Sequence, residues 1–102
     1  MAEIIWTDNA IADLNDIGEY IAKESIRYAE LMVSKLFSAP DILEKYPRRG
    51  NIVPEFMDER IRQLIIENYR VVYQLAGGQV NILTVHHGKR LISNTRHFKK
   101  KK

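Results

Sequence analysis

Apolar positions recur along this chain with two different periods. Ala10, Leu14, Ile17 and Ile21 follow one another at four, three and four residues, while Asp13, Asp16, Glu19 and Lys23 fall largely off that stripe. The spacing predicts an amphipathic helix over residues 8–23. Thr7 or Asp8 can cap it, because a short side-chain oxygen accepts from the free amides of a first turn. Ser25 can cap a second helix, whose stripe is Ala29, Met32, Val33, Leu36 and Phe37, continued by Ile42, Leu43 and Tyr46 beyond Pro40. A proline inside a helix costs about 3 kcal/mol or more. A break is therefore expected at Ser38-Ala39-Pro40, with Ser38 recapping a short last segment that ends at Tyr46-Pro47-Arg48-Arg49-Gly50.

Strand signals open and close the chain. Ala2–Trp6 reads as a first strand, and Arg60–Ile66, Tyr69–Leu75 and Gln79–His87 are rich in Ile, Val and Tyr. Gly77-Gly78 marks a two-residue hairpin, since glycine tolerates the positive φ of such turns. The predicted order is β-α-α-β-β-β, an α+β fold with a helical hairpin on one face of a mainly antiparallel sheet. A two-residue turn pairs Ala76 with Gln79 and sets Arg70 opposite Val85, with His87 diagonal to it. Tyr69, Val71, Tyr73, Leu75, Val80 and Ile82 form the more apolar face, which should receive the helices. Arg70, Val72, Gln74, Asn81, Leu83, Val85 and His87 are then left on an open face, and His86 points to the helical side. For Arg60–Ile66 two registers compete. A Glu67-Asn68 turn puts Gln63 and Ile65 beside Arg70, and one extra loop residue puts Arg60, Arg62 and Leu64 there. The second is preferred, because it avoids stranding the Arg62 charge beneath the helices.

Composition narrows the class. The chain has no cysteine, which excludes disulfides and thiolate chemistry. Nothing approaches the roughly 18 apolar residues of a membrane span, and the N-terminus lacks the basic and apolar regions of a signal peptide. A cytoplasmic location is expected, with a single domain over residues 1–93 and a basic tail over 94–102. Residues 1–59 hold six Lys/Arg against twelve Asp/Glu, whereas residues 60–102 hold ten against one, Glu67. That asymmetry suggests an anionic partner for the C-terminal half, either nucleic acid or an acidic protein segment.

Three stretches resemble the RelE/ParE toxin superfamily of type II toxin–antitoxin systems. They are Ile4-Ile5-Trp6 with Ala10, Asp13-Leu14 and Ile17 through Tyr20-Ile21; Pro47-Arg48-Arg49-Gly50-Asn51-Ile52-Val53-Pro54-Glu55; and Asn68-Tyr69-Arg70-Val71-Val72-Tyr73 followed by Val85-His86-His87-Gly88-Lys89-Arg90. The resemblance spans residues 3–92 and implies the same fold, growth arrest as the outcome, and a cognate antitoxin as partner. It also implies a target, the ribosome with its messenger RNA in the endonuclease branch or DNA gyrase in the ParE branch. RNA cleavage is the first expectation and gyrase poisoning the alternative. No metal or cofactor is called for.

For cleavage, the resemblance places Arg70, Arg90, Arg62 and Glu55 in the catalytic set, with Arg60 and Lys89 holding substrate. His87 or His97 is the candidate to stand in for the family's C-terminal Tyr or His, though neither sits at its matching position. Such a reaction needs a base for the 2′-OH, cations around the phosphate and a proton donor for the leaving oxygen. Glu55 resembles the general-base glutamate of one branch. Two features depart from the endonuclease pattern: no tyrosine follows Tyr73, and arginines, which stay protonated, stand where lysines are common. Arg70 has a purely structural role open to it as well, paired with Glu55 or Asp58. The antitoxin is expected to lay an acidic or amphipathic segment against the basic half.

Overall fold

Thr7 turns the first strand into the first helix. The computed structural model describes residues 1–88. Strand β1 (Glu3–Trp6) runs into helix α1 (Asp8–Ala22), and the Thr7 hydroxyl accepts from the Ala10 amide as its N-cap. Helix α2 (Ile26–Ser38) is capped by Ser25, which accepts from the Tyr28 amide. The expected break follows as a 3-10 helix, Ala39–Glu44, with Pro40 in its first turn. Ser38 does not recap it, and its hydroxyl donates back to the Lys35 carbonyl. Strands β2 (Asn51–Ile52), β3 (Ile61–Ile66), β4 (Tyr69–Ala76) and β5 (Gln79–His87) complete a sheet of order β1-β5-β4-β3-β2. Only β1 against β5 is parallel. The short β2 is an element that the periodicity did not reveal.

The apolar stripes meet where they were expected to meet. Ala10 and Leu14 of α1 and Met32 and Leu36 of α2 pack with Leu43 on Val71, Tyr73, Val80 and Ile82. Each fully buried Leu or Val side chain contributes about 1.5–3 kcal/mol against exposure. The hairpin is tight at Gly18, where an added Cβ would come within 2.9 Å of Val33 Cγ2. Gly77 and Gly78 take φ of 48° and 80°, the backbone that the β4–β5 turn demands.

Helix α1 also finishes the edge of β5. Strand β1 pairs with β5 only as far as Ile82. Beyond it, Asn9 Nδ2 donates to the Leu83 carbonyl at 2.9 Å, and Asp13 Oδ2 accepts from the Val85 amide at 3.2 Å and from the Thr84 hydroxyl. Polar residues off the apolar stripe of α1 thus stand in for a missing strand.

Two registers differ from expectation. The β4–β5 ladder begins with Ala76 opposite Gln79, then slips by one residue between Val72 and Tyr73. Past this bulge Val71 pairs with Val85, Arg70 with His86 and Tyr69 with His87. Val85 therefore joins the helical core instead of the open face. Between β3 and β4 the two-residue Glu67-Asn68 turn prevails, pairing Ile65 with Arg70, Gln63 with Val72 and Arg62 with Tyr73. Arg62 does lie on the helical side, but the penalty for a stranded charge is not incurred. Its guanidinium donates to the carbonyls of Glu59 (2.8 Å), Gly50 (3.0 Å) and Arg48 (3.2 Å), at the sheet margin.

Candidate functional site

The face expected to be open is partly covered. Residues 53–60 fold back over it, and Val53 and Val72 are fully buried in a second small core with Phe56 and Ile61 packed against them. Arg70 projects from β4 into this layer and is 8% exposed. Its guanidinium reaches the covering loop in a two-pronged pair, NH1 to Glu55 Oε2 at 2.9 Å and NH2 to Glu55 Oε1 at 3.0 Å. Nε donates to Gln63 Oε1 at 2.6 Å, from the neighbouring strand. The arginine fork matches a carboxylate in this geometry and fixes its orientation. The hydrogen bond from Arg70 holds the Glu55 carboxyl below its ordinary range, against a smaller opposing push from burial. Held in that way, Glu55 is a weak proton acceptor.

The bulge exchanges the two histidines. His86 was expected beneath the helices, yet it shares the Arg70 face, is 4% exposed, and adds to the field that lowers Glu55. Its Nδ1–H donates to the His87 carbonyl at 2.9 Å. His87 was expected on the Arg70 face and instead pairs with Tyr69, the two rings meeting edge to face with centroids 5.7 Å apart. It remains exposed, and with Glu55, Gln63, Asn68, Arg70 and Gly88 it borders an open cleft at the β3–β4 turn.

The other candidates scatter. Arg60 precedes β3, away from Arg70, and is held by Asp58 with NH2 to Oδ2 at 3.1 Å. Arg62 is tied to three backbone carbonyls, as described. Lys89 and Arg90 lie outside the described residues, as does His97. The structure thus brings Glu55, Gln63, Arg70 and His86 together, leaves His87 at the cleft's rim, and separates Arg60 and Arg62 from them. Gln63 and His86 were missed as members of this group, Gln63 through the register and His86 through the bulge. Among the described residues no group of three or more His, Asp or Glu could hold a metal ion, and no helix is long and apolar enough to cross a membrane.

A second concave surface runs along the outside of the helical hairpin. This apolar groove, about 780 Å³, is lined by Ile11, Ala22, Ile26, Val33 and Phe37, among others. Nothing in the sequence-based expectations singled it out, because both helix stripes were assigned wholly to the sheet.

Comparison with known proteins gives a consistent answer. A family model described as "ParE toxin of type II toxin-antitoxin system, parDE" matches residues 4–92. The toxin RelE2 of Caulobacter vibrioides is 35% identical over 91 residues, covering 89% of this chain and all of that protein. In structure, the chain resembles a protein of the chromosomal ParDE toxin–antitoxin system from P. aeruginosa, with a TM-score of 0.72 at 22% identity, covering 85% of this chain and 96% of that one. The helical hairpin on its five-stranded sheet is that fold. The chain belongs to the ParE toxin family, within the RelE/ParE superfamily, and is the toxin of a type II toxin–antitoxin system with a cognate antitoxin as its partner.

Proposed function

We propose that this toxin arrests growth as a ParE-like poison of DNA gyrase, by binding its target and not by cutting RNA. One observation carries the reading: among the described residues, the arginines that a nuclease would turn toward a phosphate are already engaged within the chain. Arg70 is bound by Glu55 and Gln63, Arg60 by Asp58, and Arg62 by three carbonyls. Stabilising a phosphorane-like transition state requires donors aimed at the substrate oxygens before they arrive. A guanidinium occupied by a carboxylate must first be released, and its charge is already neutralised. The lowered Glu55 carboxyl points the same way, since a general base works best with its pKa near the operating pH.

A second reading has its own observation. Glu55, Arg70 and His86 converge on one face beside a cleft, which is the juxtaposition that RNA cleavage would need. The double variant Glu55→Gln/Arg70→Met separates the two readings, because it removes the charges while keeping side-chain bulk. Expressed without antitoxin, it should still arrest growth, with DNA breaks and SOS induction as in the wild type. If arrest disappears together with messenger RNA cleavage, by about 10² to 10³ in rate, the nuclease reading takes its place.

The antitoxin segment was expected against the basic half; the outer groove of the hairpin offers a different, apolar surface for an amphipathic segment, and mapping the complex decides between them.

A further inference from the structure

One end of the molecule gathers aromatic side chains, two of which the core does not hold. Tyr20 lies in the last turn of α1, Tyr28 in the first turn of α2, Tyr69 at the start of β4 and His87 at the end of β5. Tyr20 is 73% exposed and Tyr28 48% exposed, so neither is held by the core. The Tyr69 ring meets that of His87 edge to face, and burial raises the Tyr69 phenol above its ordinary value, with Tyr28, Tyr20 and Glu67 adding to the rise. Lys23 stands over the Tyr20 ring, its Nζ 5.8 Å from the centroid. Among the described residues neither Lys23 nor Arg27 has a carboxylate within salt-bridge distance.

Exposing tyrosines costs a protein apolar burial and gains the fold nothing. At an interface the same residues are the usual anchors, large and rigid with a polar tip, and they are enriched with arginine among residues that dominate binding. A nucleic acid is the poorer fit, because polyanion binding depends on a row of cations. Here Lys23 and Arg27 flank Glu24, and Lys35 is already paired with Glu67. We infer that this aromatic end, carrying Tyr20, Tyr28, Tyr69 and His87 with Lys23 and Arg27, is the surface by which the toxin holds its protein target. The partner surface would present apolar pockets for the rings and carboxylates for the two cations. His87 alone of these residues also borders the cleft that holds Glu55 and Arg70.

The inference rests on the binding reading proposed above, and the test keeps the two separable. Purified wild-type toxin and the Tyr20→Ala/Tyr28→Ala double variant are compared for inhibition of DNA gyrase supercoiling and for affinity to the antitoxin. The half-inhibitory concentration should rise on the order of tenfold or more, with antitoxin affinity changed less than about twofold. Lys23→Glu should weaken inhibition as well, and flatten its dependence on salt. Wild-type inhibition that persists unchanged in the double variant would overturn the surface alone. So would a parallel loss of antitoxin binding, which would make it the antitoxin's site, or tyrosine-dependent binding of a bare DNA or RNA oligonucleotide. If the wild type cuts messenger RNA and leaves gyrase untouched, both the reading and the surface fall.

Discussion

On the helical side of the sheet Leu36, Leu43, Val71, Tyr73, Val80 and Ile82 are fully buried, and two helices and a 3-10 turn supply their cover. Among the described residues of the opposite side Val53, Val72 and Thr84 are fully buried, and the loop over residues 53–60 supplies cover. What that loop lacks in apolar area it gains from one two-pronged ion pair, Glu55 with Arg70, backed by Gln63. The two sides of the sheet are covered by different means, the second only in part. A face closed by area is indifferent to pH and salt and vulnerable to lost volume. A face closed by charge reverses those sensitivities.

The largest effect should come from volume on the helical side. Leu36 is fully buried between the helices and the sheet, and Leu36→Ala removes methyl groups whose space the packed neighbours can refill only in part. The cost expected is about 2–5 kcal/mol, a large part of the roughly 5–15 kcal/mol available to a domain. Urea titration followed by circular dichroism should show a cooperative shift of the midpoint that includes both faces. A loss under about 1 kcal/mol would mean that the helices are held by something other than this core.

The opposite face should respond to acid instead. Glu55 titrates below its ordinary value of 4.5 in the folded chain, chiefly through the Arg70 hydrogen bond. Its contribution is therefore complete above that ordinary value and is lost as the pH falls through the lowered folded one. The methyl signals of Val53 and Val72 should shift in that acid window while those of Leu36 and Leu43 hold. Simultaneous loss of both sets would show that the faces are a single cooperative unit, and the comparison drawn here would fail.

How far the sequence reveals these two faces follows the same division. The helical side was legible because its stripes have a period and its caps, Thr7 and Ser25, are named by their chemistry. The break at Pro40 was legible for the same reason. The opposite side was not, and particular residues show why. Beyond Leu83 the alternation inverts, with polar Thr84 and His86 where apolar residues were due and Val85 where a polar one was. That inversion is the trace of the bulge between Val72 and Tyr73, and it moves His86 to Arg70 and His87 away from it. Arg62 misled in another way, since a buried charge looks prohibitive until its carbonyl acceptors are known. The partner of Arg70 was visible as a possibility, but the choice between Glu55 and Asp58 depends on how a loop with no period folds over the sheet.

That choice supplies the finest test of the comparison. Glu55 and Asp58 sit three residues apart on one loop, and each carboxylate side chain is 32% exposed. Each holds an arginine at about the same distance, 2.9 Å for Arg70 and 3.1 Å for Arg60. The partners differ: the Arg70 side chain is 9% exposed and the Arg60 side chain 68%. Water can replace Asp58 around Arg60 at little cost, whereas Arg70 has few alternatives to Glu55. Glu55→Gln keeps an acceptor but surrenders the charge and one prong, and should cost roughly 1–2 kcal/mol, lowering Tm by several degrees. Asp58→Asn keeps the oxygen that accepts from the Arg60 amide, so the turn survives, and Tm should stay within about a degree. Measured side by side by calorimetry, the two amides should differ clearly. Equal losses would place the loop's stability in the turn and not in the clamp, and the second face would then be closed by its backbone.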